Sequence, residues 1–130
     1  MKSSVGLKMK SSVGLKEIEG WIARTPPSVN HYVKHTRSGR HYKTSDAENF
    51  MQLVAIAFRG KQLTKDRYGV TIHFWLGKGE RLDVDNAPKC CLDALVRCGA
   101  IASDSYVDAL HVYKDRDSKN PRTKILAWLL

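Results

Sequence analysis

The sequence predicts an α+β fold: a single domain with a mixed β-sheet and two main helices. Three observations carry this. Residues 67–76 alternate, with Val70, Ile72, Phe74 and Leu76 on one face and Thr71, His73 and Trp75 on the other, the period of a half-buried strand. Phe50, Leu53, Val54, Ala57 and Phe58 recur at helical spacing, and Cys91, Leu92, Leu95 and Cys98 form a second such stripe. A chain of 130 residues, 42% of them hydrophobic, suits one domain with a modest core.

The elements follow in order. Residues 1–8 and 9–16 are the same octamer, MKSSVGLK, twice. That is too short for a solenoid unit. Residues 1–16 therefore read as a duplicated start, flexible or artificial in origin, and 17–130 as the folded domain. Glu17 to Arg24 reads as a strand, with Ile18 and Ile22 opposite Trp21 and Ala23. Pro26-Pro27 ends it, because neither proline can donate to a sheet ladder. Residues 30–43 look like a hairpin turned at Ser38-Gly39. Ser45-Asp46-Ala47-Glu48 has the form of a capping box at the head of the first helix, and Gly60 marks its end. After the strand at 67–76, in which His73 reads as a partly exposed strand residue, Gly77-Lys78-Gly79-Glu80 is a loop. The second helix starts near Asp85 or Asn86, either of which can cap it, with Pro88 harmless in the first turn and Gly99 past the end. Tyr106–Tyr113 and Thr123–Leu129 read as a closing hairpin across Asp115–Arg122. The order is strand, hairpin, helix, strand, helix, strand, strand.

Lysine and arginine outnumber aspartate and glutamate by 22 to 13, for a net charge of +9. That balance points to a polyanion: DNA, RNA or an anionic membrane. No apolar run is long enough to span a bilayer, and the start lacks the apolar core of a signal peptide. A cytoplasmic protein with no membrane partner is expected. No acid occurs between Glu19 and Asp46, where Arg24, Lys34, Arg37, Arg40 and Lys43 are interleaved with His31, His35, His41 and two tyrosines. Cations hold phosphate and aromatic rings stack on unpaired bases. Standing alone, the stretch is equally well a solvated hairpin tip. Cys90, Cys91 and Cys98, an odd cluster with no CxxC pair, read as core thiols in a reducing compartment.

The most informative residues are Asp83 and Asp85, followed by Lys89 and, after the next apolar stretch, Asp104. Carboxylates at i and i+2 of an extended segment point to one side. Crowding them costs energy unless a cation shares the charge. Hard oxygen ligands suit Mg²⁺, with Mn²⁺ as a substitute. Such an ion polarises a phosphoryl oxygen and makes a nucleophile of bound water. Asp104 would complete the ligand set or orient that water, and Lys89, one turn into the helix, would stabilise charge at the scissile phosphate. An isolated D-x-D is more simply an acidic turn with an N-cap, and an isolated Lys89 a helical partner of Asp85.

The run Asp83-Val84-Asp85-Asn86, Lys89, Leu92-Asp93-Ala94-Leu95, Gly99 and Asp104-Ser105, preceded by Pro26-Pro27-Ser28-Val29-Asn30, resembles the RusA family of Holliday-junction resolvases. These are small phage- and prophage-associated endonucleases, and the resemblance spans roughly residues 22 to 114. It implies a homodimer that binds a four-way DNA junction and nicks two strands symmetrically with Mg²⁺, in recombination and repair. Trp75 and the terminal run Ile125–Leu130 offer apolar surface for such a dimer, although the run serves equally well to close the monomer's own sheet. The resemblance maps the metal-site aspartates onto Asp83, Asp85 and Asp104, and the active-site lysine onto Lys89. The family often has arginine just before the first aspartate; here Leu82 stands there, with Arg81 one earlier, so Lys78 and Arg81 are expected to supply phosphate contacts beside Lys34, Arg37, Arg40 and Lys43. Ser103 replaces the first of two acids that commonly precede the serine, and Val84 a usual leucine. Asp93 also matches, but as a salt-bridge residue outside the metal set. Two other readings compete: a non-cleaving basic module for branched or single-stranded DNA, and a less selective metal nuclease acting on flaps or duplex.

Overall fold

A computed structural model of the chain describes residues 15–27 and 45–130, with the backbone alone at 33–35 and 41–43. The elements are β1 (Glu17–Ile22), β2 (Val33–His35), β3 (His41–Lys43), α1 (Ser45–Ala57), β4 (Tyr68–Leu76), α2 (Ala87–Arg97), a one-turn 3₁₀ helix (Asp104–Tyr106), β5 (Val107–Arg116) and β6 (Arg122–Leu129). The fold is α+β, in the order that the sequence predicts. The repeated octamer lies outside the described residues except for its last two positions. The hairpin at 30–43 is present as an antiparallel pair, β2 with β3, in which His35 faces His41. Its turn at Ser38-Gly39 lies outside the described residues.

Four strands form the main sheet in the order β1-β6-β4-β5. β6 is antiparallel to both neighbours, whereas β4 and β5 are parallel. This corrects the closing hairpin: β5 and β6 never pair. Arg116 ends β5 opposite Leu76, on one side of β4, and Arg122 begins β6 opposite Trp75, on the other. The short connection therefore steps over the end of β4. The burial patterns fit this arrangement. β4 and β6 alternate strongly, as interior strands with one covered face do, while β5 is mostly exposed, as an edge strand is. Parallel strands need a crossover, and α2 supplies it.

One face of the sheet carries the core. Ile18 and Ile22 of β1, Val70, Ile72, Phe74 and Leu76 of β4, and Ile125 and Ala127 of β6 pack with Phe50 and Val54 of α1 and Cys91 and Leu95 of α2. Cys90 and Cys91 are both buried, so the apolar side of α2 is wider than the stripe read from sequence. Burial, then Cys90 beside it, pushes the Cys91 thiol well above its ordinary range. It is an inert core group. Gly99 sits at φ +84 just past α2, the left-handed turn expected of a helix-ending glycine.

The opposite face carries a ladder of rings. Trp75 stacks on His73, with centroids 3.8 Å apart, and on Trp21 at 5.7 Å. The guanidinium of Arg122 lies 4.1 Å from the Trp75 centroid. Trp75 and His73 thus stand where the alternation put them, on the outer face of β4. Ile125 and Ala127 are buried, so the terminal apolar run closes the monomer's own sheet.

Candidate active site

The site grows from the loop between β4 and α2. Gly77 leaves the strand, and Lys78 and Gly79 form an exposed turn with Gly79 at φ +76. Glu80 folds back so that its Oε1 accepts the Gly77 N–H at 2.7 Å and the Thr25 hydroxyl at 3.1 Å. The side chain of Leu82 is buried and anchors the loop to the core. Asp83 follows at once and is exposed, as is Asp85.

Residues 84–86 form a turn rather than the extended segment expected from the i, i+2 spacing. Asp83 builds that turn. Its Oδ1 accepts the Asp85 N–H at 3.0 Å, and its Oδ2 accepts the Asn86 side-chain amide at 2.8 Å. Its carbonyl takes the N–H groups of Asn86 at 3.0 Å and Ala87 at 2.8 Å. Asn86 is the N-cap of α2 but makes no capping bond with its own side chain. Asp83 therefore does the local work expected of Asp85 or Asn86. Pro88 falls in the first turn as expected. Both carboxylates stand at the head of α2, where the helix dipole favours negative charge.

Lys89 lies one turn into α2 and pairs with Asp93, Nζ to Oδ1 3.6 Å, rather than with Asp85. Its side chain is 66% exposed, so this pair is weak and the ammonium is free to leave it for a phosphate. Asp93, the salt-bridge residue of the sequence reading, also lines a cavity of about 330 Å³ with Met51, Val96, Arg97 and Asp104. Asp104 begins the 3₁₀ helix, exposed and held from behind by Ser103, whose hydroxyl accepts the Ser105 N–H at 3.2 Å. The serine that replaces an acid in the sequence pattern is thus a cap.

Among the described residues, no three His, Cys, Asp or Glu side chains are gathered into a ready-made metal cage. Asp83 and Asp85 share the turn, while Asp104 lies against the second half of α2. The donor chemistry nonetheless fits a hydrated hard cation. Mg²⁺ keeps several waters and takes one or two carboxylates, the remainder coming from substrate phosphate. Two exposed carboxylates on one pinned turn suit that use.

On the other side of the loop, a cavity of about 580 Å³ is lined by Arg24, Pro26, Pro27, Asp46 and Arg81, among others. The Pro-Pro segment, far away in sequence, is thereby brought beside the acid-bearing loop. Arg24 holds Asp46 at 2.9 Å and Asn49 at 3.0 Å, tying this corner to α1. Arg81 and Lys78 are exposed on the loop that leads to the acids. Lys34 and Lys43 fall on β2 and β3. Arg37 and Arg40 lie outside the described residues.

The family description "Endodeoxyribonuclease RusA" matches residues 24–126. The chain belongs to the RusA endodeoxyribonuclease family. No curated protein matches it. The span shared with the RusA family runs from the arginine that anchors the Pro-Pro corner into β6, and so takes in the acid turn, Lys89 and Asp104. Membership makes this a nuclease by family, with DNA as the substrate class. No helix among the described residues is long and apolar enough to cross a membrane.

Two residues that reach the acid-bearing loop were not foreseen. Lys114 and Arg116 of β5 donate to backbone carbonyls of the acid loop. Their alternation puts both on one face of a strand, but only the parallel pairing of β5 with β4 brings that strand end to the loop.

Proposed function

We propose that this protein is a Mg²⁺-dependent, structure-selective endonuclease that resolves four-way DNA junctions by paired nicks, acting as a homodimer in the cytoplasm. The observation that carries the reading is the exposed Asp83–Asp85 turn, fixed at the head of α2 with Lys89 one helical turn away. Asp83 and Asp85 would hold the divalent ion, Mg²⁺ or in its place Mn²⁺. When bound, that ion polarises the scissile phosphate and lowers the pKa of a water. Asp104 is the third acid and orients the attacking water. Lys89 exchanges its weak pairing with Asp93 for the phosphate and stabilises the charge that develops as the bond breaks. Lys34, Arg37, Arg40, Lys43, Lys78 and Arg81 hold the DNA backbone. Two subunits related by a twofold axis match the symmetry of a junction and place one site on each strand to be cut.

The test is a cleavage assay with labelled four-way junction, flap and linear duplex side by side. Paired nicks in the junction alone, appearing with Mg²⁺ and abolished by EDTA, are the expected result. Equal cutting of all three substrates would reassign the protein to a less selective nuclease. Tight junction binding with no nick under either metal would make it a non-cleaving binding module.

A further inference from the structure

We propose that Lys114 and Arg116 of β5, together with Glu80, are positioning residues that hold the acid turn in place. The proposal rests on the reading of Asp83 and Asp85 as metal ligands. Exposed acids on a surface loop would ordinarily share the loop's mobility. Here the loop is held from two directions. Lys114 Nζ donates to the Leu82 carbonyl at 2.9 Å. That carbonyl and the Asp83 N–H belong to one peptide plane, so fixing it fixes the direction in which Asp83 leaves the chain. On its other side, the Asp83 carbonyl is fixed by the N–H groups of Asn86 and Ala87. Arg116 Nη1 donates to the Glu80 carbonyl at 3.0 Å and reaches that of Gly77 at 3.4 Å. The Glu80 carboxylate in turn ties the loop to Thr25, immediately before the Pro-Pro segment.

These interactions follow from topology. β5 runs parallel to β4 and extends to Arg116, opposite the last residue of β4. Its final side chains on one face therefore reach the loop that β4 emits. Both cations engage main-chain carbonyls, which a residue placed only to hold DNA has no need to do.

The test uses the full chain with Lys114→Met, Lys114→Gln and Lys114→Arg. Amide hydrogen exchange is followed without metal, Mn²⁺ affinity without DNA, and junction affinity in EDTA. Lys114→Met should speed exchange at Asn86 and Ala87 by about tenfold while β4 amides stay protected. It should weaken Mn²⁺ binding by about tenfold, the usual scale for losing a group that orients a ligand. Junction affinity should hold, and Lys114→Arg, which can still donate, should restore both properties. Lys114→Gln is a second, polar truncation whose amide stops short of the Leu82 carbonyl; should Lys114→Met unfold, faster exchange at Asn86 and Ala87 in folded Lys114→Gln supports the clamp and unchanged exchange there rejects it. Unchanged exchange in a folded Lys114→Met protein would overturn the proposal, as would a loss of junction affinity with the turn intact. If the wild-type chain takes up no Mn²⁺, the metal reading fails, while the exchange data still decide the clamp.

Discussion

Asp83 closes its own turn with the oxygens that would face a metal. Asparagine keeps one of those acceptors, so Asp83→Asn should fold and bind a junction as well as or better than wild type, with one negative charge fewer facing DNA. Its cleavage should be lost, as should that of Asp85→Asn and Asp104→Asn. Gel assays of nicking and of junction affinity on the same preparations check this. A wild-type rate in Asp104→Asn would sink the three-acid site. Lys89→Ala should lower turnover by about two orders of magnitude or more with binding unchanged, the scale of removing a group that meets developing charge. Its stability should fall little, because a helical i, i+4 ion pair is worth only about 0.3–0.5 kcal/mol. Single-turnover rates at saturating protein separate this from a binding defect. Membership of the family was legible because residue type and order carry its pattern across the matched span, and the roles of these residues are proposed from that pattern. Their local geometry was not legible. Carboxylates at i and i+2 share one side only on an extended backbone, and Asn86 donating back to Asp83 turns the segment instead.

At the scale of elements, the strands and helices were legible from periodicity, and their pairing was not. Asp117-Ser118-Lys119-Asn120-Pro121 has the composition of a hairpin turn, and a local pattern cannot say that the chain crosses β4 there. β5 stands at the end of the sheet and is sparsely buried accordingly. Two glycines in the sheet also carry information that the sequence pattern hides. A Cβ on Gly69 would stand 2.4 Å from the ring of Trp128, and one on Gly20 would stand 2.4 Å from that of Phe58. Each ring lies on bare backbone. Gly69→Val should therefore displace Trp128 and cost about 1–3 kcal/mol, the range for overpacking, read as a fall in thermal midpoint with DNA binding retained. The β2–β3 hairpin is proposed to hold DNA. Neutralising Arg37 and Arg40 together should flatten the slope of log K against log salt by about 0.9 for each duplex-arm phosphate that then keeps its counterion. Cleavage at saturating protein should survive, and an unchanged slope would place the DNA on another face.

For the whole molecule, the paired cutting proposed above calls for two chains, one acid turn for each strand. Sedimentation at micromolar concentration should give about twice the 14.7 kDa chain mass. A monomer that still makes both nicks in one binding event would overturn this. The terminal apolar run is taken up by the monomer rather than left for an interface, since β6 is paired on both sides and buries Ile125 and Ala127. Apolar surface remains elsewhere: Trp21 is 49% exposed, Leu110 44% and Tyr113 52%.

The central place of β6 bears on how the chain reaches its native state. β1 is near the start of the domain, yet its sheet partner is the last strand, with Glu17 opposite Trp128. During synthesis β1 must wait for β6 until the whole segment between Ile22 and Arg122 has been made. β4 and β5 can meet earlier through α2, but the edge of β4 reserved for β6 stays open meanwhile. Pairings so distant along the chain are paid in loop-closure entropy before they yield any stabilisation, which slows folding and prolongs the exposure of strand edges. β6, set between β1 and β4, thus joins the strand that leads into the Pro-Pro corner to the strand that leads into the acid turn.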